Sequence, residues 1–129
     1  MPLIQWKESY SLKNTALDTQ HKKLFKISNK LYEEFMAGIT DLAYETALDN
    51  ILAFTKYHFQ TEEHIMYKIK HPHSYSHKQE HLKFSEKIHE LKDATEGDTH
   101  EKANELIKLL VNWVLHHIVV EDRKIIHPG

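Results

Sequence analysis

Apolar side chains recur every three or four positions through almost the whole chain, and little interrupts them. Only three glycines occur, and Gly38 and Gly97 fall where such segments end, with Gly129 at the terminus. That period is the inward stripe of an amphipathic helix, and no run of useful length alternates as a half-buried strand must. The first segment, about residues 18–37 with Asp18 as a plausible N-cap, aligns Leu17, His21, Leu24, Ser28, Leu31 and Phe35. The second, from Thr40 or Asp41 to about Ile69, aligns Leu48, Ile51, Thr55, His58, Glu62, Met66 and Ile69. Pro72 in "KHPHSYSH" breaks the pattern, and a third helix capped by Ser74 or Ser76 runs to about Ala94 with His77, His81, Phe84, Ile88 and Leu91 inward. The fourth, from Thr99 past Asp122, begins with the capping-box spacing of Asp98 and Glu101 and aligns Leu106, Leu110, Trp113 and His117. Four helices joined by short turns predict an all-α, up-down-up-down four-helix bundle, one domain over residues 1–129.

Charge narrows the partners. Lys and Arg number 17 against 19 Asp and Glu, so a net charge of -2 supplies no attraction to nucleic acid or an anionic membrane. Cysteine is absent, which removes disulfides, thiolate metal sites and iron–sulfur clusters together. "MPLIQWKESY" has no signal-peptide apolar core and no run is long enough to span a bilayer, so a soluble, cytoplasmic protein is expected. Histidine is the outlier, with 12 in 129 residues. At that density about one pair at helical spacing arises by chance. The pairs His73/His77 and His77/His81 therefore mean little alone.

Position in the bundle means more. In "NWVLHHIVVED", His117 shares the inward stripe of Trp113, Leu110 and Leu106, whereas His116 follows Asn112, Leu109 and Glu105 on a mixed edge. His21 lies near the start of the first helix, His58 and Glu62 toward the end of the second, His77 and His81 at the start of the third, and His117 and Asp122 at the end of the fourth. An up-down-up-down bundle brings those ends to one level. Asp122 fits least well, because five residues on an ideal α-helix turn it roughly 140° from His117. Five imidazoles and two carboxylates exceed a structural zinc site and suit two six-coordinate first-row metals, of which iron is the best match. Ferritin-like carboxylate sites need two Glu-x-x-His motifs, and only Glu86/His89 has that spacing here. With few anionic ligands, reversible O2 binding is favoured over oxygen activation.

"DTQHKKLFKISNKL", "HFQTEEHIM", "HSYSHKQEHLKF" and "WVLHHIVVED" resemble, in order and spacing, the four helix motifs of the hemerythrin family, in particular its single-domain bacterial members. Trp6 and Tyr10 resemble the family's N-terminal arm. The resemblance implies an oxo- or hydroxo-bridged pair of iron ions, with His77, His81 and His117 on one and His21 and His58 on the other. Glu62 and Asp122 would bridge them. It further implies an O2 pocket lined by Leu24, Phe59, Trp113, Val114 and Ile118, and O2 as the partner, with the recipient protein unknown. Val114 stands where many members have leucine, Ile125 where many have tyrosine, and His71 precedes Pro72 where tyrosine is usual.

Other polar residues receive plainer readings. His64, His89, His100 and His127 are assigned to solvent, and His71, His73 and His116 to exposed positions near the site. Glu63 and Glu121 occupy other helix faces, solvated or in contact with a ligand from behind. Two functions of different class follow: an O2 carrier, store or delivery protein, which is not an enzyme, or a di-iron redox enzyme or sensor acting on peroxide, nitric oxide or iron.

Overall fold

The computed structural model describes residues 3–72, 74–94 and 97–121, the side chains of 118–121 excepted. Within them lie α1 (Thr15–Met36), α2 (Asp41–Lys68), α3 (Ser74–Asp93) and α4 (Thr99–Asn112). A 3-10 turn, Glu8–Tyr10, precedes α1, and a π-helical segment, Trp113–Glu121, prolongs α4. α1 packs on α2 and α4, and α3 packs on α2 and α4, so the helices close into the expected four-helix bundle. No strand occurs among the described residues.

The ends explain most departures from the expected boundaries. α1 starts earlier than expected because Asn14, not Asp18, is its cap: the Asn14 side chain accepts the Leu17 N–H at 3.0 Å. Asp18 sits one turn inside and accepts the Ser11 hydroxyl at 2.5 Å and the Leu12 N–H at 2.9 Å, which ties the N-terminal arm to α1. Further along that arm, the Ile4 N–H donates to Asn29 Oδ1 at 2.9 Å and the Ile4 carbonyl accepts from Asn29 Nδ2 at 2.8 Å. Trp6 meets Phe25 edge to face at 5.5 Å between ring centres. α2 begins as expected, the Thr40 hydroxyl accepting from the Ala43 N–H at 3.1 Å. The capping box at Asp98 and Glu101 is not formed, since Asp98 takes the N-cap position without a side-chain bond to the helix.

α2 ends in a Schellman motif. The His71 N–H donates to the Met66 carbonyl at 2.9 Å and the Lys70 N–H to the Tyr67 carbonyl at 3.2 Å, with Lys70 left-handed at φ 53°. This reversal buries His71, correcting its assignment to an exposed position. It also leaves Ile69 past the last turn, 49% exposed and off the inward stripe. At the end of α1, by contrast, the φ of 88° falls on Gly38, which carries no Cβ to oppose it.

The apolar core is built by the predicted stripes. Leu24 and Leu31 of α1, Leu48 and Ile51 of α2, Ile88 of α3 and Leu106 and Leu110 of α4 are all buried in one cluster. Each such side chain contributes about 1.5–3 kcal/mol of hydrophobic stabilisation. The fourth helix departs from expectation at Trp113, where i→i+5 bonding replaces the α pattern.

Candidate metal centre

Periodicity and helix direction together bring the inward histidines to one end of the bundle. His58 and Glu62 are one turn apart on α2, as are His77 and His81 on α3, so each pair projects from one face. The side chains of His21, His58, Glu62, His77, His81 and His117 are all buried. They form two groups that share one member: Glu62 with His77, His81 and His117, and Glu62 with His21 and His58. Within each group the potential ligand atoms lie within 4.8 Å of one another. Asp122 and Ile125 lie outside the described residues, as do His73, His127 and the side chains of Ile118 and Glu121. His116 is exposed while His117 is buried, as their helix faces predicted.

Glu62 is the hinge of the arrangement. Its Oε1 lies 2.6 Å from His58 Nε2 and 3.6 Å from His81 Nε2, and its Oε2 lies 3.4 Å from His77 Nε2. Both oxygens are buried and accept no hydrogen bond from the described residues. A carboxylate stripped of water in this way is costly unless a cation or a donor satisfies it.

The outer ring nitrogens sharpen the point. His81 Nδ1 lies 3.0 Å from Glu63 Oε2 and His117 Nδ1 lies 3.1 Å from Glu80 Oε2. An ionised carboxylate only accepts, so both Nδ1 atoms are donors. His58 Nδ1 is set in the same way, 2.7 Å from Gln20 Oε1, while Gln20 Nε2 donates to Thr61 Oγ1 at 3.3 Å. As neutral rings, all three then turn an Nε2 lone pair inward, toward Glu62 and toward each other. His81 Nε2 and His117 Nε2 are only 3.1 Å apart. Acceptors gathered around an unsatisfied carboxylate are the donor set a cation requires, so these residues fit a metal.

Aromatic packing limits how the rings can turn. Trp113 stacks on His117 at 3.8 Å between ring centres, Phe59 on His81 at 3.9 Å, and Phe54 is parallel to His58 at 5.6 Å. Of the expected O2-pocket residues, Leu24, Phe59 and Val114 are buried and Trp113 is half-buried. A groove of about 540 Å³ between α3 and the end of α4 reaches this wall; Lys83, Lys87 and His116 edge it, with Phe84, Trp113 and His117 beneath. Burial, helped by the neighbouring Glu62 charge, pushes the Glu63 carboxyl above its usual range, against the pull of Lys78 and His77.

Sequence reasoning did not single out Gln20 or Glu80, and it left Glu63 between solvent and a ligand contact. Helix position carries a signal for Gln20 alone, since it directly precedes His21 and is buried. Glu63 and Glu80 are partly exposed and reach their histidines from other helices, which no single-helix pattern displays.

A four-helix bundle with a buried histidine and carboxylate cluster at one end defines a metal-binding protein. Residues 12–127 match the family model described as the hemerythrin HHE cation binding domain. The chain is 30% identical over 128 residues to a bacteriohemerythrin of Clostridium acetobutylicum, an alignment covering 96% of this chain and 99% of that one. It is 33% identical over 121 residues to a hemerythrin-like protein of Naegleria gruberi, covering 94% and 89% respectively. The chain belongs to the hemerythrin family. A cation-binding domain agrees with the expectation of a binding protein rather than an enzyme.

Proposed function

We propose that this protein binds O2 reversibly at a centre of two iron ions held by His21, His58, Glu62, His77, His81, His117 and Asp122. The observation that carries the reading is a buried carboxylate, Glu62, common to two clusters of histidines among the described residues. One carboxylate between two imidazole groups is the donor arrangement of a bridged metal pair. The bacteriohemerythrin relatives support iron and O2 as the metal and the ligand. The π winding from Trp113 supports Asp122 as the seventh ligand, because i→i+5 bonding returns residues five apart to nearly one face.

Bound there, a ferrous pair supplies electrons that O2 can borrow and return. The chain's own contribution is to hold, orient and shield. Glu63, Glu80 and Gln20 fix which nitrogen of His81, His117 and His58 faces the centre. Leu24, Phe59, Trp113 and Val114 present an apolar wall, which keeps water and protons away and so slows irreversible oxidation. No helix among the described residues is long and apolar enough to cross a membrane.

Metal analysis joined to an optical spectrum tests the reading. Reduced protein should hold about two irons per chain, develop a new absorption on exposure to air, and lose it when O2 is removed. One tightly held zinc with no iron uptake would sink the di-iron assignment. An absorption that decays to oxidised iron at every exposure, without returning O2, would favour the redox enzyme or sensor.

A further inference from the structure

We propose that Glu63 and Glu80 are positioning residues that make the two halves of the centre electronically unequal, an inference that rests on the di-iron reading above. Among the described residues, the two carboxylates stand behind the half that holds His81 and His117: Glu63 accepts from His81 Nδ1 at 3.0 Å and Glu80 accepts from His117 Nδ1 at 3.1 Å. In the other half, His58 Nδ1 donates at 2.7 Å to a neutral amide oxygen, that of Gln20. The amide cannot be turned around without loss, because its nitrogen donates to Thr61 Oγ1 at 3.3 Å. Each contact crosses between helices: α2 to α3 for Glu63, α3 to the π segment for Glu80, and α1 to α2 for Gln20.

An imidazole whose N–H is held by a carboxylate gives more electron density to a metal at its other nitrogen than one held by an amide. The position served by His77, His81 and His117 therefore has two strengthened ligands as well as one more histidine than the position served by His21 and His58. Strengthened donors favour Fe3+ over Fe2+, so Glu63 and Glu80 lower the reduction potential there. In a one-electron oxidation by an added oxidant such as ferricyanide, the electron leaves that position first: one Fe2+ becomes Fe3+ and one ferricyanide becomes ferrocyanide. The packing holds this inequality in place, since Phe59 and Trp113 stack on the two carboxylate-backed rings.

Two measurements test this. The first uses metal-free protein: nitrogen-15 NMR should find the proton of His81 and of His117 on Nδ1, and protons on Nε2 would overturn the proposal whatever the metal content. The second uses iron-loaded wild type, Glu63→Gln, Glu80→Gln and Gln20→Glu, with iron counted in each, and follows the two one-electron potentials by spectroelectrochemistry. Each Glu→Gln variant should weaken the Fe3+ preference of the first step by about tenfold, raising that potential by ~59 mV. Gln20→Glu should instead lower the second potential and narrow the gap between the steps. Unmoved potentials, or a shift of one sign in all three variants, would mean that the outer groups only support the fold. Wild-type protein that takes up no pair of irons would fail the functional reading itself, a result distinct from a loaded wild type with insensitive potentials.

Discussion

Glu62→Gln separates the stability of the bundle from the stability that metal adds to it. Both Glu62 oxygens are buried without a hydrogen-bond donor among the described residues, and each unsatisfied buried acceptor costs about 1–3 kcal/mol. An amide of the same shape removes one such oxygen and can donate to a facing imidazole nitrogen, so the metal-free variant should be as stable as wild type or more stable by ~1–2 kcal/mol. With metal the order reverses. A ligand a thousandfold above its Kd stabilises the native state by about 4 kcal/mol. Losing the carboxylate that, among the described residues, both clusters share should weaken binding by at least roughly a hundredfold, which removes about 2.7 kcal/mol of that gain. For a chain of this size the loss corresponds to a melting temperature lower by roughly 10 °C. Thermal unfolding of both proteins, without metal and with excess Fe2+ under anaerobic conditions, gives the four values required. If Glu62→Gln showed the same metal-induced rise as wild type, Glu62 would not be a ligand and the two-cluster argument would fall.

Three further outcomes follow from residues away from that carboxylate. His117→Ala should abolish the metal-induced rise in melting temperature while His116→Ala, on the exposed face, should keep it; the reverse would mean that the helix phase is wrong at Trp113–Glu121. Tyr44 is 1% exposed with a hydroxyl that has no hydrogen-bond partner among the described residues, and burial, with a smaller push from Glu45, raises its pKa to about 12. Its raised folded pKa leaves stability intact below the unfolded value near 10 and drains it as pH climbs toward 12, so urea melts of wild type should weaken over that window and those of Tyr44→Phe should weaken less. Lys70→Gly relieves a left-handed residue at φ 53° that costs an L-residue about 1–2 kcal/mol, and part of this should appear as a gain of ~0.5–1 kcal/mol in the same melts.

Helix number, the inward faces and the convergence of the buried histidines and Glu62 could be read from the chain because all three depend on a period within one helix. His21, His58, Glu62, His77, His81 and His117 were placed by that period and are buried together at one end. The misreadings share a cause. Asp18 carries the composition of an N-cap, but Asn14 captures the role because the arm claims the Asp18 oxygens. His71 is buried by a reversal whose left-handed residue is a lysine rather than the glycine that would have announced it. The wider winding from Trp113 leaves no distinct mark, since β-branched residues also fill ordinary buried helices. Glu63 and Glu80 act across helix pairs, and pairing between helices is tertiary information.

The apolar cluster runs from Leu31 and Tyr44 through Leu48, Ile51, Ile88 and Leu106, and none of these is a proposed ligand. Most of the hydrophobic driving force is therefore available before any metal arrives, and the helix pairs that form it are largely neighbours in the chain, which favours rapid assembly. On that reasoning the bundle would form first and take up metal afterwards. Unlike a small zinc-dependent domain, which remains unfolded until its ion is captured, this one would leave the ribosome and fold as an empty container. Metal uptake would then be a step separate from folding, and the metal-free chain should show cooperative unfolding of its own.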